Sequence, residues 1–169
     1  GFHLFGEYRV TKYEVFHLPG ITDSEFPYCY SHLMQKKANV GYGGIKAAYG
    51  YKDIFDFSVG GTYYGWNVKD EAKVLLYLKP EFVLDASARA KVYDEFWISA
   101  AYRYEGRVKA GELEKADAIN NLSLSAGYEF FNSLNVFVRF NNLLNQDYIT
   151  EAGYPVQGFN AMAGVSFRF

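Results

Sequence analysis

The sequence predicts an all-β protein: an antiparallel, up-and-down transmembrane β-barrel with about eight strands, in one domain that covers residues 1–169. Three observations predict this class. Apolar and polar residues alternate with a period of two along much of the chain, as they do in half-buried strands. Aromatic residues make up 20% of the chain, yet the mean hydropathy is −0.17 and no apolar run reaches the length of a membrane helix. The connections between the alternating segments are short and long in turn.

The alternation marks eight strands in order along the chain. In the clearest one, Leu122, Leu124 and Ala126 share one face, whereas Ser123 and Ser125 share the other. Six further segments alternate well, and the first does so less regularly. The predicted strands cover residues 2–16, 45–52, 55–64, 82–92, 96–105, 121–130, 134–141 and 159–169.

The first predicted strand changes phase part-way along. Leu4, Tyr8 and Val10 share a face, but Tyr13 and Val15 continue the apolar pattern from the opposite phase. A β-bulge between Val10 and Tyr13 would switch the faces in this way.

The connections predict which ends of the strands lie together. Tight turns are expected at residues 52–53, 93–95 and 131–133, and longer links at 18–37, 67–71, 107–115 and 143–156. Short turns at one end and long loops at the other are typical of outer-membrane barrels. An even number of strands places both ends of the chain on the short-turn side, which would be the periplasmic side.

The alternation alone leaves open which face points outward. A lipocalin-like carrier has its apolar face inside, around a ligand, whereas a membrane barrel has it outside, against lipid. Aromatic residues gather near the strand ends, as Tyr102 and Tyr104 do, while alanine and leucine fill the middles, which favours the membrane arrangement. The charged residues of the polar face would then form a salt-bridge lattice in the lumen rather than line a permeation path. We expect this lattice to contain Arg89, Arg103, Glu105, Glu129 and Arg139.

Composition and motifs point away from several functions. The net charge of −2 predicts no nucleic-acid partner, and the single cysteine, Cys29, allows no intramolecular disulfide. No phosphate-binding loop, nucleophile elbow or zinc signature is present, so we expect no catalytic residues, no cofactor and no metal site. An enzyme acting on lipid stays as a minor alternative, with His17 or His32 as base and Ser24 or Ser31 as nucleophile.

The first long link carries the residues that suggest a ligand. His17, Cys29, His32 and Met34 are soft or borderline metal ligands, but their spacing fits no known metal site. Aromatic residues lie among them and are suited to a generic substrate contact; the alternative is that they pack on each other or on neighbouring loops. The predicted ligand-binding residues on this extracellular loop are Phe26, Tyr28, Tyr30 and His32.

The last 35 or so residues carry a family resemblance. A strand leads into Asn142-Leu143-Leu144-Asn145 and Tyr148, a Gly153-Tyr154-Pro155 loop follows, and a final alternating strand ends in Phe169. In order and spacing, these elements resemble the C-terminal end of TonB-dependent outer-membrane receptors. The preceding hairpins resemble that family in rhythm alone.

The resemblance implies an outer-membrane receptor that imports siderophore, haem or another large nutrient. Such receptors have a barrel of about 22 strands with a plug, so eight strands would form the C-terminal third of one. The implied partners are outer-membrane lipid, the barrel insertion machinery, which would recognise Phe167 and Phe169, and the TonB system if the chain is part of a full receptor. The alternative is a free-standing eight-stranded barrel with a structural or adhesive role.

Overall fold

The computed structural model describes residues 1–19, 30–69, 73, 76–112, 115–130, 133–151 and 154–168; for 11–19, 30–38, 151 and 154 it describes the backbone alone. Ten strands account for most of these residues, and no α-helix occurs among them. In chain order the strands are β1 Phe2–Pro19, β2 Tyr30–Tyr51, β3 Phe55–Asn67, β4 Pro80–Lys91, β5 Phe96–Arg107, β6 Ile119–Phe130, β7 Leu134–Asn141, β8 Ile149–Glu151, β9 Tyr154–Pro155 and β10 Asn160–Phe167.

Eight of the strands form one antiparallel sheet in which each strand pairs with its neighbours along the chain. The order is β1-β2-β3-β4-β5-β6-β7-β10, and β8 and β9 form a separate small hairpin within the last long loop. The predicted up-and-down topology and strand number are therefore confirmed. The sheet is not closed, because β1 and β10 lie at opposite edges of it.

The two ends of the sheet differ as predicted. Residues 52–54, 92–95 and 131–133 connect strands at one end, and the long loops 68–79, 108–118 and 142–159 lie at the other. The first two tight turns are closed by backbone hydrogen bonds, from Ile54 N to Tyr51 O at 3.1 Å and from Phe96 N to Tyr93 O at 3.2 Å. The well-buried apolar side chains, among them Val40, Leu76 and Ala110, lie toward the loop end.

The apolar face of the sheet is bare. Large side chains that the sequence places on this face are open to the surroundings, and Tyr49 and Val165 are 59% and 67% exposed. On the polar face, residues from the six strands β1 to β6 line a hollow. A lipocalin-like arrangement would bury the apolar face around a ligand, whereas here that face is exposed.

The second strand begins much earlier than predicted. Residues 18–37 were expected to form a loop, but β2 begins at Tyr30 and pairs with β1 as far as Pro19. No glycine or proline occurs between residues 30 and 38 to stop the strand, and β1 satisfies its backbone hydrogen bonds. Because β3 pairs with β2 only from Asn39 to Tyr51, residues 11–19 and 30–38 form a two-stranded ribbon that extends beyond the sheet.

The predicted bulge between Val10 and Tyr13 is absent. The pairing register of β1 with β2 runs without a shift from Phe2↔Ala47 to Pro19↔Tyr30. The change of phase coincides with the point where β1 leaves the sheet and enters the ribbon. Since none of the other described strands lies beside the ribbon, no common face imposes a phase on its residues.

Aromatic rings cover glycines in a row that crosses the polar face. Trp97 of β5 is paired with Gly127 of β6, which is paired with Phe137 of β7, which is paired with Gly164 of β10. A Cβ atom added at Gly127 would lie 2.6 Å from the Trp97 ring, and one added at Gly164 would lie 2.5 Å from the Phe137 ring. The guanidinium of Arg89 lies 4.5 Å from the Trp97 ring centroid on the same face.

We expect Gly127→Ala to destabilise the folded protein by about 1–3 kcal/mol, because its methyl group would overlap the indole of Trp97. The loss should shrink when Trp97→Ala is combined with it. Urea unfolding of the protein in lipid vesicles, followed by circular dichroism, measures both changes.

Gly60→Ala is the matched control. Gly60, in β3, also lies on the polar face of the sheet, but a Cβ atom added there would lie 3.5 Å from its nearest neighbouring atom. Equal losses for Gly127→Ala and Gly60→Ala would show that ring contact is not the cause.

Candidate functional site at the loop end

A line of ion pairs runs along β5 toward the loop end. Arg103 binds Asp85 of β4 at 2.9 Å and Glu105 at 3.0 Å, and Glu105 binds Arg107 at 2.8 Å. Arg103, Glu105 and Arg107 share one face because alternate residues of a strand point the same way. Burial increases along the line, from the half-exposed Arg103 to Arg107, which is 2% exposed.

Arg107 joins two long loops to the sheet. Its Nη1 donates to the carbonyl oxygen of Leu78, at the end of loop 68–79, and its Nη2 donates to that of Ile149 in loop 142–159 at 2.8 Å. The planar guanidinium suits this task, since its donors diverge in a fixed fork. Glu105 balances the buried positive charge.

Two of the loops also share a small apolar core. Leu76 and Ala110 are buried against each other, with Trp66, Val68 and Val108 packed around them. The indole Nε1 of Trp66 donates to the carbonyl oxygen of Pro80 at 2.8 Å. The described parts of loops 68–79 and 108–118 therefore pack together at the loop end of β3, β4 and β5.

Amides hold the last long loop in place. Asn142 is 2% exposed and has a positive φ of 48°, a conformation that asparagine tolerates better than most residues. Its Nδ2 donates to the carbonyl oxygens of Gln146 at 3.0 Å and Gln157 at 3.3 Å, and its Oδ1 accepts from Gln146 N at 3.2 Å. Asn145, with φ 47°, accepts from Phe159 N at 2.9 Å.

This loop is also joined to its neighbour. The Nε2 of Gln146 donates to the carbonyl oxygen of Ala118 at 2.7 Å, and its Oε1 accepts from Asn120 N at 2.6 Å. Asn121 of β6 donates to the hydroxyl oxygen of Tyr148 at 2.9 Å. Three residues that carry the family resemblance, Asn142, Asn145 and Tyr148, thus help to shape this loop or to attach it to β6.

The structure brings together some of the polar-face charges named from the sequence. Arg103 and Glu105 are joined in the ion-pair line, whereas Arg89 lies over Trp97. Glu129 and Arg139 form no ion pair with any described residue, and both are exposed. Whether this face encloses a lumen stays a prediction.

The polar face holds a hollow of about 420 Å³ at mid-height. Hydroxyl and charged groups line it, with Lys46 from β2, Thr62 from β3, Asp85 from β4 and Arg103 from β5. Asn121 also lines it, and its Oδ1 is buried without a hydrogen-bond partner.

The ligand-binding residues predicted on the first loop are placed differently or fall outside the description. Tyr30 and His32 lie in β2 rather than in a loop, and the register pairs His32 with His17 and Met34 with Val15. Phe26, Tyr28 and Cys29 lie outside the described residues. So does Phe169, whereas Phe167 lies in β10 opposite Leu134.

Arg107 and Gln146 are the loop-end residues that the sequence analysis missed. Arg107 was assigned to the start of a loop, although it continues the alternation of Arg103 and Glu105 on one face of β5. That alternation of charge sign at every second residue was the available signal. No signal in the sequence marks Gln146, because its partners are backbone groups of a different loop.

The described residues lack two further features. None of the groups of His, Cys, Asp and Glu side chains there is placed to hold a metal ion. Nor does that part of the chain include a helix long and apolar enough to cross a membrane.

We expect Arg107→Met to lower the free energy of unfolding by about 3 kcal/mol and to speed proteolysis within loops 68–79 and 142–159, because the variant breaks a buried ion pair and releases two carbonyl groups. Arg107→Lys should give a free energy of unfolding between those of the wild-type protein and Arg107→Met, since an ammonium group keeps the charge but lacks the forked donors that reach both loops. Urea titration and limited proteolysis measure the two effects.

Lys115→Met is the matched control, because the Lys115–Glu81 pair at 3.0 Å is about half exposed and should contribute less than about 1 kcal/mol. If Arg107→Met proved as mild as Lys115→Met, Arg107 would not be what joins the loops.

No protein-family model and no curated protein sequence match this chain. Several solved structures do match its fold. The ferric-catecholate import receptor Fiu from E. coli K12 matches with a TM-score of 0.62 and 18% identity, over 79% of this chain and 21% of Fiu. The copper transporter OprC matches with a TM-score of 0.68 and 14% identity, over 99% of this chain and 30% of OprC.

FpvA from P. aeruginosa, solved with an iron-loaded heterologous pyoverdine, matches with a TM-score of 0.69 and 16% identity, over 98% of this chain and 24% of FpvA. The chain thus spans less than a third of the length of each of these proteins. The fold of the described strands is that of part of the β-barrel of TonB-dependent receptors.

Proposed function

We propose that this chain forms part of the wall of an outer-membrane β-barrel receptor that imports a large nutrient with energy from the TonB system. The bare apolar face is the observation that carries the proposal. Contiguous exposed apolar surface of this extent is a liability in water but is required against lipid. The polar face with its ion pairs is then the side that faces the lumen.

The open sheet supports a large barrel rather than a free-standing eight-stranded one. In a bilayer each unpaired backbone N–H or C=O group costs several kcal/mol, so the outer edges of β1 and β10 need further strands. The matched proteins are roughly three to four times as long as this chain, which leaves room for such strands and for a domain inside the lumen. Outer-membrane lipid and the barrel insertion machinery are the further partners that we propose.

We further propose that the protein binds and passes its substrate without altering it covalently. The loop-end side chains described above are arranged as ion pairs, amide contacts and packed apolar groups. These are means of holding loops in a fixed position, which is what a receptor needs at its outer surface.

The number of strands can be measured as a distance. Spin labels at Leu4 of β1 and Val165 of β10, both exposed near the short-turn end, should lie more than about 25 Å apart, because seven inter-strand spacings of about 4.8 Å separate them in the sheet. The measurement uses pulsed electron paramagnetic resonance on the full-length protein with Cys29 and any other native cysteine replaced.

A closed eight-stranded barrel would bring the same two strands together, at the spacing of one neighbouring pair. A label distance under about 15 Å would therefore favour the free-standing barrel.

Transport can be tested in cells. The full-length protein is expressed in a strain from which the gene for this protein has been deleted. It should enter the outer-membrane fraction and restore growth when iron, copper or a carbon source is limiting. The growth should be restored only when TonB is present. Growth that is restored equally without TonB, or under none of these limitations, contradicts the proposal.

Leu124→Arg and Ser123→Arg serve as paired variants for the membrane part of this test. The first places a cation on the apolar face near the middle of β6 and should cost roughly 2–4 kcal/mol, which lowers the amount of protein in the outer membrane. The second places it on the polar face and should leave that amount unchanged. Equal losses would mean that the faces are not divided between lipid and lumen.

A further inference from the structure

The three long loops that are bound to one another at the loop end border a solvent-open pocket of about 460 Å³. This volume is in the range of small-molecule sites. Each loop contributes to the lining, which includes Tyr77, Leu78, Asp117, Asp147, Tyr148 and Ile149.

The lining of this pocket is fixed by the strands rather than by the loops alone. Leu78 and Ile149 are the residues whose carbonyl oxygens accept hydrogen bonds from the buried Arg107. The hydroxyl of Tyr148 accepts from Asn121 of β6 at 2.9 Å, so its ring is held as well. A pocket anchored in this way loses little conformational entropy when a ligand enters.

The charge of the pocket is negative. Asp117 and Asp147 line it, and neither carboxylate makes an ion pair or hydrogen bond with the rest of the described chain. The one ammonium group in the lining, that of Lys115, is paired with Glu81 at 3.0 Å. The charged groups left available are therefore hydrogen-bond acceptors.

We propose that this pocket binds a small organic cation, a molecule with an amine or guanidinium group on an apolar body. Asp117 and Asp147 receive the cationic group, the rings of Tyr77 and Tyr148 offer additional attraction for it, and Leu78 and Ile149 contact the apolar part. Anionic molecules are repelled by the same carboxylates. This inference rests on the proposed function, because it assigns the loop end to the side from which a substrate arrives.

Three probes of similar shape test the assignment. Each has a phenyl ring on a short carbon side chain, and the end group is cationic in phenethylamine, neutral in 2-phenylethanol and anionic in phenylacetate. Ligand-observed NMR titration of the full-length protein in detergent micelles gives their affinities. We expect phenethylamine to bind most tightly, 2-phenylethanol more weakly and phenylacetate not at all. Asp117→Asn and Asp147→Asn should each weaken phenethylamine binding about two- to five-fold, as expected for solvent-open ion pairs, and leave 2-phenylethanol binding unchanged.

Glu112→Gln is the matched control, because Glu112 is an exposed carboxylate of the same loop that does not line the pocket, and it should change nothing. Binding of phenylacetate as tight as that of phenethylamine, or unchanged binding of phenethylamine in both aspartate variants, would overturn the inference. Neither result would alter the Leu4–Val165 distance or growth that depends on TonB, so a failure here is distinguishable from a failure of the proposed function.

Discussion

Hydrogen bonding between neighbouring strands is the constraint on which the rest of this structure depends. Each strand of the main sheet pairs with its neighbours along the chain, and all the tight turns then fall at one end. With the backbone satisfied in this way, the side chains divide between two faces with different surroundings. The division leaves no face free to form an apolar core within the sheet, because the apolar face is exposed and the other face is polar.

The loop end compensates for this missing core. The buried apolar side chains lie toward that end, where Leu76 and Ala110 pack beneath the loops. Polar groups provide the remaining attachment, with Arg107 bound to two loops and Asn142 bound within a third. Buried arginine and amide groups are costly unless their donors find partners; both Nη atoms of Arg107 do so, whereas its buried Nε has none. The loops are therefore held by directional bonds, which give fixed positions rather than general cohesion.

The fold could be predicted from the sequence largely because the strands have two contrasting faces. Where those faces exist, the predicted strands agree with the observed ones, as β5 and β6 show. The predictions were wrong where this contrast between the faces is absent. The ribbon of β1 and β2 pairs with no further strand of the described sheet, so no neighbour imposes a phase on it. Its register and the early start of β2 at Tyr30 therefore could not be predicted from alternation. The loop end was still harder to predict. The alternation of charge sign in Arg103, Glu105 and Arg107 could place Arg107 on β5. The loop carbonyl groups that Arg107 binds, and the backbone partners of Gln146, are distant along the chain and leave no residue pattern.

The same reasoning explains how this fold coexists with 14–18% identity to the matched receptors. An outward position requires only an apolar side chain, and an inward one only a polar or small side chain, so many sequences satisfy the same backbone. More specific demands arise at few places. One is the row of Trp97, Gly127, Phe137 and Gly164, where a ring needs a glycine beside it. The other is the loop end, where bond geometry selects particular residues. Because the strands tolerate such wide substitution, differences in ligand chemistry between barrels of this fold are expected to reside in the loops rather than in the wall.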